Sequence, residues 1–143
     1  LSDLAPAADV VHLACHGVFR QDNPFFSALR LGDGWMLVRD AYALKLNCGL
    51  VTLSACETGV SALAPGDELI GLARGFIAAG TPSLLVSMWR VDDDATLLLM
   101  SNFYRALQAA GKPAQALRAA QIALRDAYPH PFYWSAFSLI GRW

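Results

Sequence analysis

Two residues in this sequence can do covalent chemistry as a pair. One is His16, in Ala14-Cys15-His16-Gly17, and the other is Cys56, in Ser54-Ala55-Cys56-Glu57-Thr58-Gly59. A thiolate is a strong nucleophile, and a neighbouring imidazole can take its proton and later protonate a leaving amine. Gly17 and Gly59 let the backbone turn tightly and let a substrate approach closely. Backbone N–H groups at these points could hold the oxyanion of a tetrahedral intermediate. Such chemistry requires no metal and no organic cofactor. The competing reading is packing, because cysteine is among the most buried residue types.

The pair is 40 positions apart, so secondary structure must bring it together. Val10-Val11-His12-Leu13-Ala14 is short, apolar and β-branched at its start, and reads as a strand buried on both faces. Leu50 to Ser54 and Ser83 to Ser87 are further strands, the latter opened by the turn signal Gly80-Thr81-Pro82. Ala136 to Ile140 is a weaker fourth. Helical spacing fills the gaps: Leu69, Leu72, Ala73, Phe76 and Ile77 behind Asp67-Glu68, then Ala95 to Ala110 with Gly111 as its stop. Pro113 opens a third helix through Leu117, Ala120 and Leu124. Gly32-Asp33-Gly34 predicts a small hairpin. Alternating strands and helices predict an α/β fold with a mostly parallel, doubly wound sheet. In such sheets ligands bind beyond the carboxyl ends of the strands, where His16 and Cys56 follow the first two. A 40-residue offset also leaves room for the crossover that parallel neighbours need.

The chain has 143 residues, enough for one domain with a buried core. Hydrophobic residues make up 55% and charged residues 16%, which excludes a disordered chain. Eleven Lys and Arg against 12 Asp and Glu leave no basic surplus, so direct nucleic-acid binding is set aside. The uncharged run from Gly75 to Trp89 is too short and too interrupted to cross a membrane, which takes roughly 20 apolar residues. Three cysteines at irregular spacing suit free thiols in a reducing, cytoplasmic setting. The chain begins with Leu1 and enters a strand-like run within ten residues, as expected of a piece of a longer protein.

Other reactive residues have plainer readings. His12, Cys15 and His16 do not make a metal site, because Cys15 points to the opposite strand face and no second cluster follows. His12 is expected as a core histidine, Cys15 and Cys48 as core-filling thiols, and His130 as a structural residue of a rigid loop. Asp22-Asn23-Pro24-Phe25-Phe26 is either a cleft wall or a turn into the hairpin.

The segments His12-Leu13-Ala14-Cys15-His16-Gly17, Leu53 to Gly59 and Ser87-Met88-Trp89-Arg90-Val91-Asp92-Asp93 together resemble the CHAT domain. So do Gly71 to Phe76 and Tyr133 to Phe137. These domains are caspase-like, related to separase, and often follow tetratricopeptide repeats. The resemblance spans nearly all of 1–143, read as a single domain forming the C-terminal part of a longer protein. It implies a three-layer α/β/α fold whose sheet here holds only the third to sixth strands, the last antiparallel. It also implies that His16 is the catalytic base and Cys56 the nucleophile. Gly17 with the backbone N–H of Cys56 would build the oxyanion hole.

The resemblance further implies a cysteine endopeptidase acting on a protein or peptide substrate. Its partner would be a tetratricopeptide-repeat region or another upstream segment of the same protein. Ser54, two before the nucleophile, takes the place that lines the first specificity pocket in caspases. Met88-Trp89-Arg90 looks like the segment that pairs with the substrate backbone, with Arg90 gripping an acidic side chain. Separase instead has an acidic residue near Asp92 and Asp93 and prefers arginine, so a basic residue is expected before the scissile bond. Asp92 and Asp93 can equally be helix caps, and Trp89 can simply pack. The rival class is a catalytically silent or regulated scaffold that docks onto repeat proteins. A more distant one is an acyl transferase using the same pair.

Overall fold

The computed structural model describes residues 7–18, 20, 23–57 and 67–142. Thr58, Gly59 and Asp22 lie outside these. Six strands and five helices follow in chain order. They are β1 (Val10–Val18), β2 (Ala28–Leu31), β3 (Gly34–Leu37), α1 (Val38–Ala43), β4 (Leu50–Glu57), α2 (Asp67–Ala78), β5 (Ser83–Ser87), α3 (Asp93–Ala110), α4 (Pro113–Ala127), α5 (Pro131–Trp134) and β6 (Phe137–Gly141). The strands form one sheet in the order β3-β2-β1-β4-β5-β6. Pairing is parallel between β1, β4 and β5 and antiparallel through the β2–β3 hairpin. This is a mixed α/β sheet flanked by helices, as expected of the later part of a caspase-like fold.

The chain divides into two compact units, one holding residues up to Val86 with Ile140–Arg142, the other Ser87–Leu139. In the first, Leu50, Val51, Thr52 and Leu53 are all buried, which is the signature of a strand covered on both faces. Strand β1 differs. Val11, Leu13 and Gly17 are buried, whereas His12, Ala14, His16 and Val18 are exposed on the alternate face. His12 is therefore not the core histidine expected. Phe76 and Leu72 of α2 are fully buried, and burying such a side chain contributes about 1.5–3 kcal/mol.

The edge strand β6 is anchored to the β5 entry in this unit. The Arg142 N–H donates to Pro82 O at 2.8 Å, and Ser83 Oγ donates to Arg142 O. Gly141, at φ 102°, makes the approach possible, because a Cβ there would overlap Pro82 O.

In the second unit α3 and α4 pack against each other, with Ala95, Leu99, Met100 and Phe103 of α3 and Ala116, Leu117, Ala120 and Leu124 of α4 buried. Gly111, in the left-handed conformation, ends α3, and Pro113 opens α4 one residue later.

Two strand boundaries and two short helices depart from the sequence reading. Strand β1 continues to Val18 and β4 to Glu57, so His16 and Cys56 lie inside their strands and not just past the ends. The cause is the hairpin: β2 pairs with His16, Gly17 and Val18 and holds them extended. The short helices α1 and α5 were not foreseen. Helix α1 is helped by Asp40, whose carboxylate accepts from the Leu37 N–H at 2.9 Å.

Candidate active site

Strands β1 and β4 pair in parallel over eight rungs, from Val10 with Leu50 to Gly17 with Glu57. The second-to-last rung joins His16 to Cys56. Neighbouring strands lie about 4.8 Å apart, so the backbone alone sets these residues side by side at the carboxyl ends of both strands. Direct partners in a ladder occupy the same face, and alternation then groups positions 12, 14 and 16 with 52, 54 and 56. His16 is exposed on that face. Gly17 is one rung further on, opposite Glu57, and is buried.

Ser54 sits two residues before Cys56, opposite Ala14. Its Oγ is buried and has no hydrogen-bond partner among the described residues. A buried hydroxyl left unpaired is costly, so such a group is poised to bond something that arrives.

The face carries two more residues in line with the pair. His16 pairs with Arg30 on β2, and Arg30 pairs with Trp35 on β3. One transverse row therefore reads Cys56, His16, Arg30, Trp35 across four strands. The Arg30 guanidinium lies 5.4 Å from the Trp35 ring centroid, a cation–π contact.

Other thiols and imidazoles are placed away from this row. Cys15 lies on the opposite face of β1, half-buried, and burial pushes its thiol pKa up. Cys48 is buried, with its Sγ 3.6 Å from Thr81 Oγ1. His12 shares the face of His16 four rungs below, and partial loss of water around its ring lowers its pKa. Asn23 O accepts from the Phe26 N–H, so that segment is a single 3-10 turn leading into the hairpin.

Trp89, Arg90, Asp92 and Asp93 belong to the second unit, between β5 and the first turn of α3. Trp89 is 39% exposed, stacks against Phe132 at 6.5 Å, and donates from Nε1 to Phe132 O at 3.0 Å. Arg90 and Asp93 are exposed. Asp92 is the N-cap of α3 and accepts from the Ala95 N–H at 2.9 Å. In the same unit His130 caps α5, its Nδ1 accepting from the Phe132 N–H.

The CHAT domain family model matches residues 1–142. The chain belongs to the CHAT domain family. Among curated proteins it is similar to tetratricopeptide repeat protein 28 of mouse, 33% identical over 104 residues, and of human, 35% identical over 104 residues. Each match covers 71% of this chain and 4% of the relative, so the chain spans a small part of those proteins. Membership places the CHAT chain in the caspase-like superfamily. Among its described residues no helix is long and apolar enough to cross a membrane, and no group of three or more His, Cys, Asp or Glu is placed to hold a metal ion.

Of the residues singled out in the sequence of this CHAT chain, His16, Gly17, Ser54 and Cys56 fall within the last four rungs of one ladder. Arg30 and Trp35 were missed. The two-residue turn at Gly32-Asp33 dictates the Arg30–Trp35 pairing and was a usable signal. Nothing in the sequence set the β1–β2 register, because a long connection separates them.

Proposed function

We propose that this CHAT chain is a cysteine endopeptidase working through His16 and Cys56. The observation that carries the reading is their shared rung at the carboxyl ends of β1 and β4. His16 takes the thiol proton, and the Cys56 thiolate attacks the scissile carbonyl carbon. Gly17 and the backbone N–H of Cys56 flank the carbonyl oxygen as it becomes an oxyanion. The intermediate collapses to a thioester as His16 gives its proton to the departing amine. Water, activated by the same imidazole, then releases the acid and restores the thiol.

The substrate is a protein segment with a basic residue before the scissile bond. Support for the basic residue comes from the motif that places Asp92 and Asp93 after β5; Ser54, two residues before Cys56, offers an unpaired hydroxyl and commits to neither charge. The catalytic part is one CHAT-type domain over 1–143 that works, in the cytoplasm, with a tetratricopeptide-repeat region of the same protein. The free thiols and the names of the relatives support that setting.

A second reading is favoured by those same names: a caspase-like scaffold, silent as an enzyme, that docks onto repeat proteins. One experiment separates the two. Full-length protein is offered short fluorogenic peptides with Arg, Lys or Asp before the reporter. The peptidase releases reporter from the Arg and Lys peptides, and Cys56→Ala releases none. Undiminished release by purified Cys56→Ala protein, or none by the wild type, overturns the assignment.

A further inference from the structure

The row that joins His16 to Cys56 does not stop at His16. Arg30 is the next residue along it, and Trp35 the one after. At about 4.8 Å per strand, Arg30 lies about 10 Å from the nucleophile and Trp35 about 14 Å. Both side chains are exposed, Trp35 by 53%. Among the described residues no carboxylate pairs with Arg30; its guanidinium rests on the Trp35 ring.

We infer that Arg30, backed by Trp35, selects an acidic side chain in the leaving half of the substrate, just after the scissile bond. The inference rests on the peptidase reading above and adds to it a specificity-determining residue. After attack, the acyl half stays bonded to Cys56, while the amine half must lie where His16 can protonate it. The leaving half therefore departs over the His16 side of the row, and the next group it meets is Arg30. A guanidinium laid against an indole face keeps its edge N–H donors outward, in the fork that a carboxylate accepts. The indole beside it offers apolar surface to the methylene groups of a Glu. The tight hairpin turn holds both residues in register, so the subsite is fixed before substrate arrives.

The pair could serve only to hold the hairpin together, and a selectivity measurement separates the two roles. Internally quenched peptides share one acyl half ending in Arg and differ in the next residue: Glu, Gln or Lys. Full-length wild-type protein is expected to cleave Glu over Gln by roughly fivefold to tenfold in kcat/KM, with the gap shrinking in high salt. Arg30→Lys keeps the sign of that preference. Arg30→Glu inverts it, so that Lys is cleaved faster than Glu. Equal rates for Glu and Gln in the wild type, or an unchanged ranking in Arg30→Glu, would overturn the inference and leave the peptidase reading standing.

A second measurement does not depend on turnover. Labelled leaving-half peptides beginning with Glu, Gln or Lys are titrated into full-length Cys56→Ala protein by fluorescence anisotropy. The Glu peptide is expected to bind tightest, and Arg30→Glu in that background to reverse the order. If no peptide is cleaved by the wild type, the peptidase reading fails and this titration decides the subsite alone. Indistinguishable binding of the three peptides refutes it.

Discussion

His16 and Cys56 are direct partners on the second-to-last rung of the parallel β1–β4 ladder. That relationship is a property of the backbone. Seven other rungs share its register, and a slip of one residue would move every side chain of β1 to the other face. The hydrophobic pattern forbids the slip, since Val11 and Leu13 are buried while His12 and Ala14 are exposed. The interior of the sheet thus fixes the geometry at its rim.

Because His16 is exposed, removing its imidazole should cost chemistry and little stability. His16→Ala is expected to lower kcat/KM by about 10²- to 10⁴-fold while shifting unfolding free energy by less than about 0.5 kcal/mol. Peptide hydrolysis and urea unfolding on the same preparation check both. A loss below tenfold would mean that Cys56 works without this base.

His12 gives the fold a pH dependence of predictable sign. Partial burial lowers its pKa from the ordinary 6.5. In the unfolded chain the ring takes up a proton near that value, whereas the folded chain resists it. Stability should therefore fall as pH drops below about 6.5, and flatten once the folded pKa is passed. Urea midpoints at pH 7.5 and 5.5 should diverge more for the wild type than for His12→Gln. Equal divergence would show that His12 is as well hydrated folded as unfolded.

Asp92 has a structural task, which makes its role in substrate binding separable. It caps α3 through the Ala95 N–H. Asp92→Ala should cost about 0.5–2 kcal/mol, and Asp92→Asn, which keeps an acceptor, should cost far less. If Asp92 also holds a basic side chain, Asp92→Asn will lose preference for Arg over a neutral residue at near wild-type stability. Unfolding and peptide selectivity on the two variants give both answers.

Much of this was legible in the sequence because it follows from local chemistry. The parallel strands, the three long helices, the Gly111 stop and the Pro113 start all rest on periodicity, caps and breakers within a few residues. The extent of β1 and β4 was not legible. Ala14-Cys15-His16-Gly17 has no strand signal of its own and is extended because β2 pairs with it, a long-range cause. Likewise His12 looked like a core residue because Val10, Val11, Leu13 and Ala14 around it are apolar, and the open face of β1 shows only in the folded sheet. Arg30 and Trp35 escaped notice because their importance lies in a register.

Gly141 should tolerate no side chain. Its φ of 102° is open to glycine and strained for other residues, and a Cβ would overlap Pro82 O. Gly141→Ala is expected to destabilise by about 1–3 kcal/mol from backbone strain, with the overlap adding to it. A urea midpoint equal to the wild type would show that the β6 end is not held against Pro82 as described.

The His16–Cys56 pairing is tested most simply by covalent labelling with a peptidyl electrophile near pH 7, read by mass spectrometry. The chain offers the probe three thiols, of which Cys48 is buried and Cys15 is held protonated by burial. If His16 activates Cys56, a single adduct forms at Cys56, and it forms markedly more slowly in His16→Ala. Labelling spread over Cys15 and Cys56 alike, or a Cys56 rate indifferent to loss of His16, would contradict it.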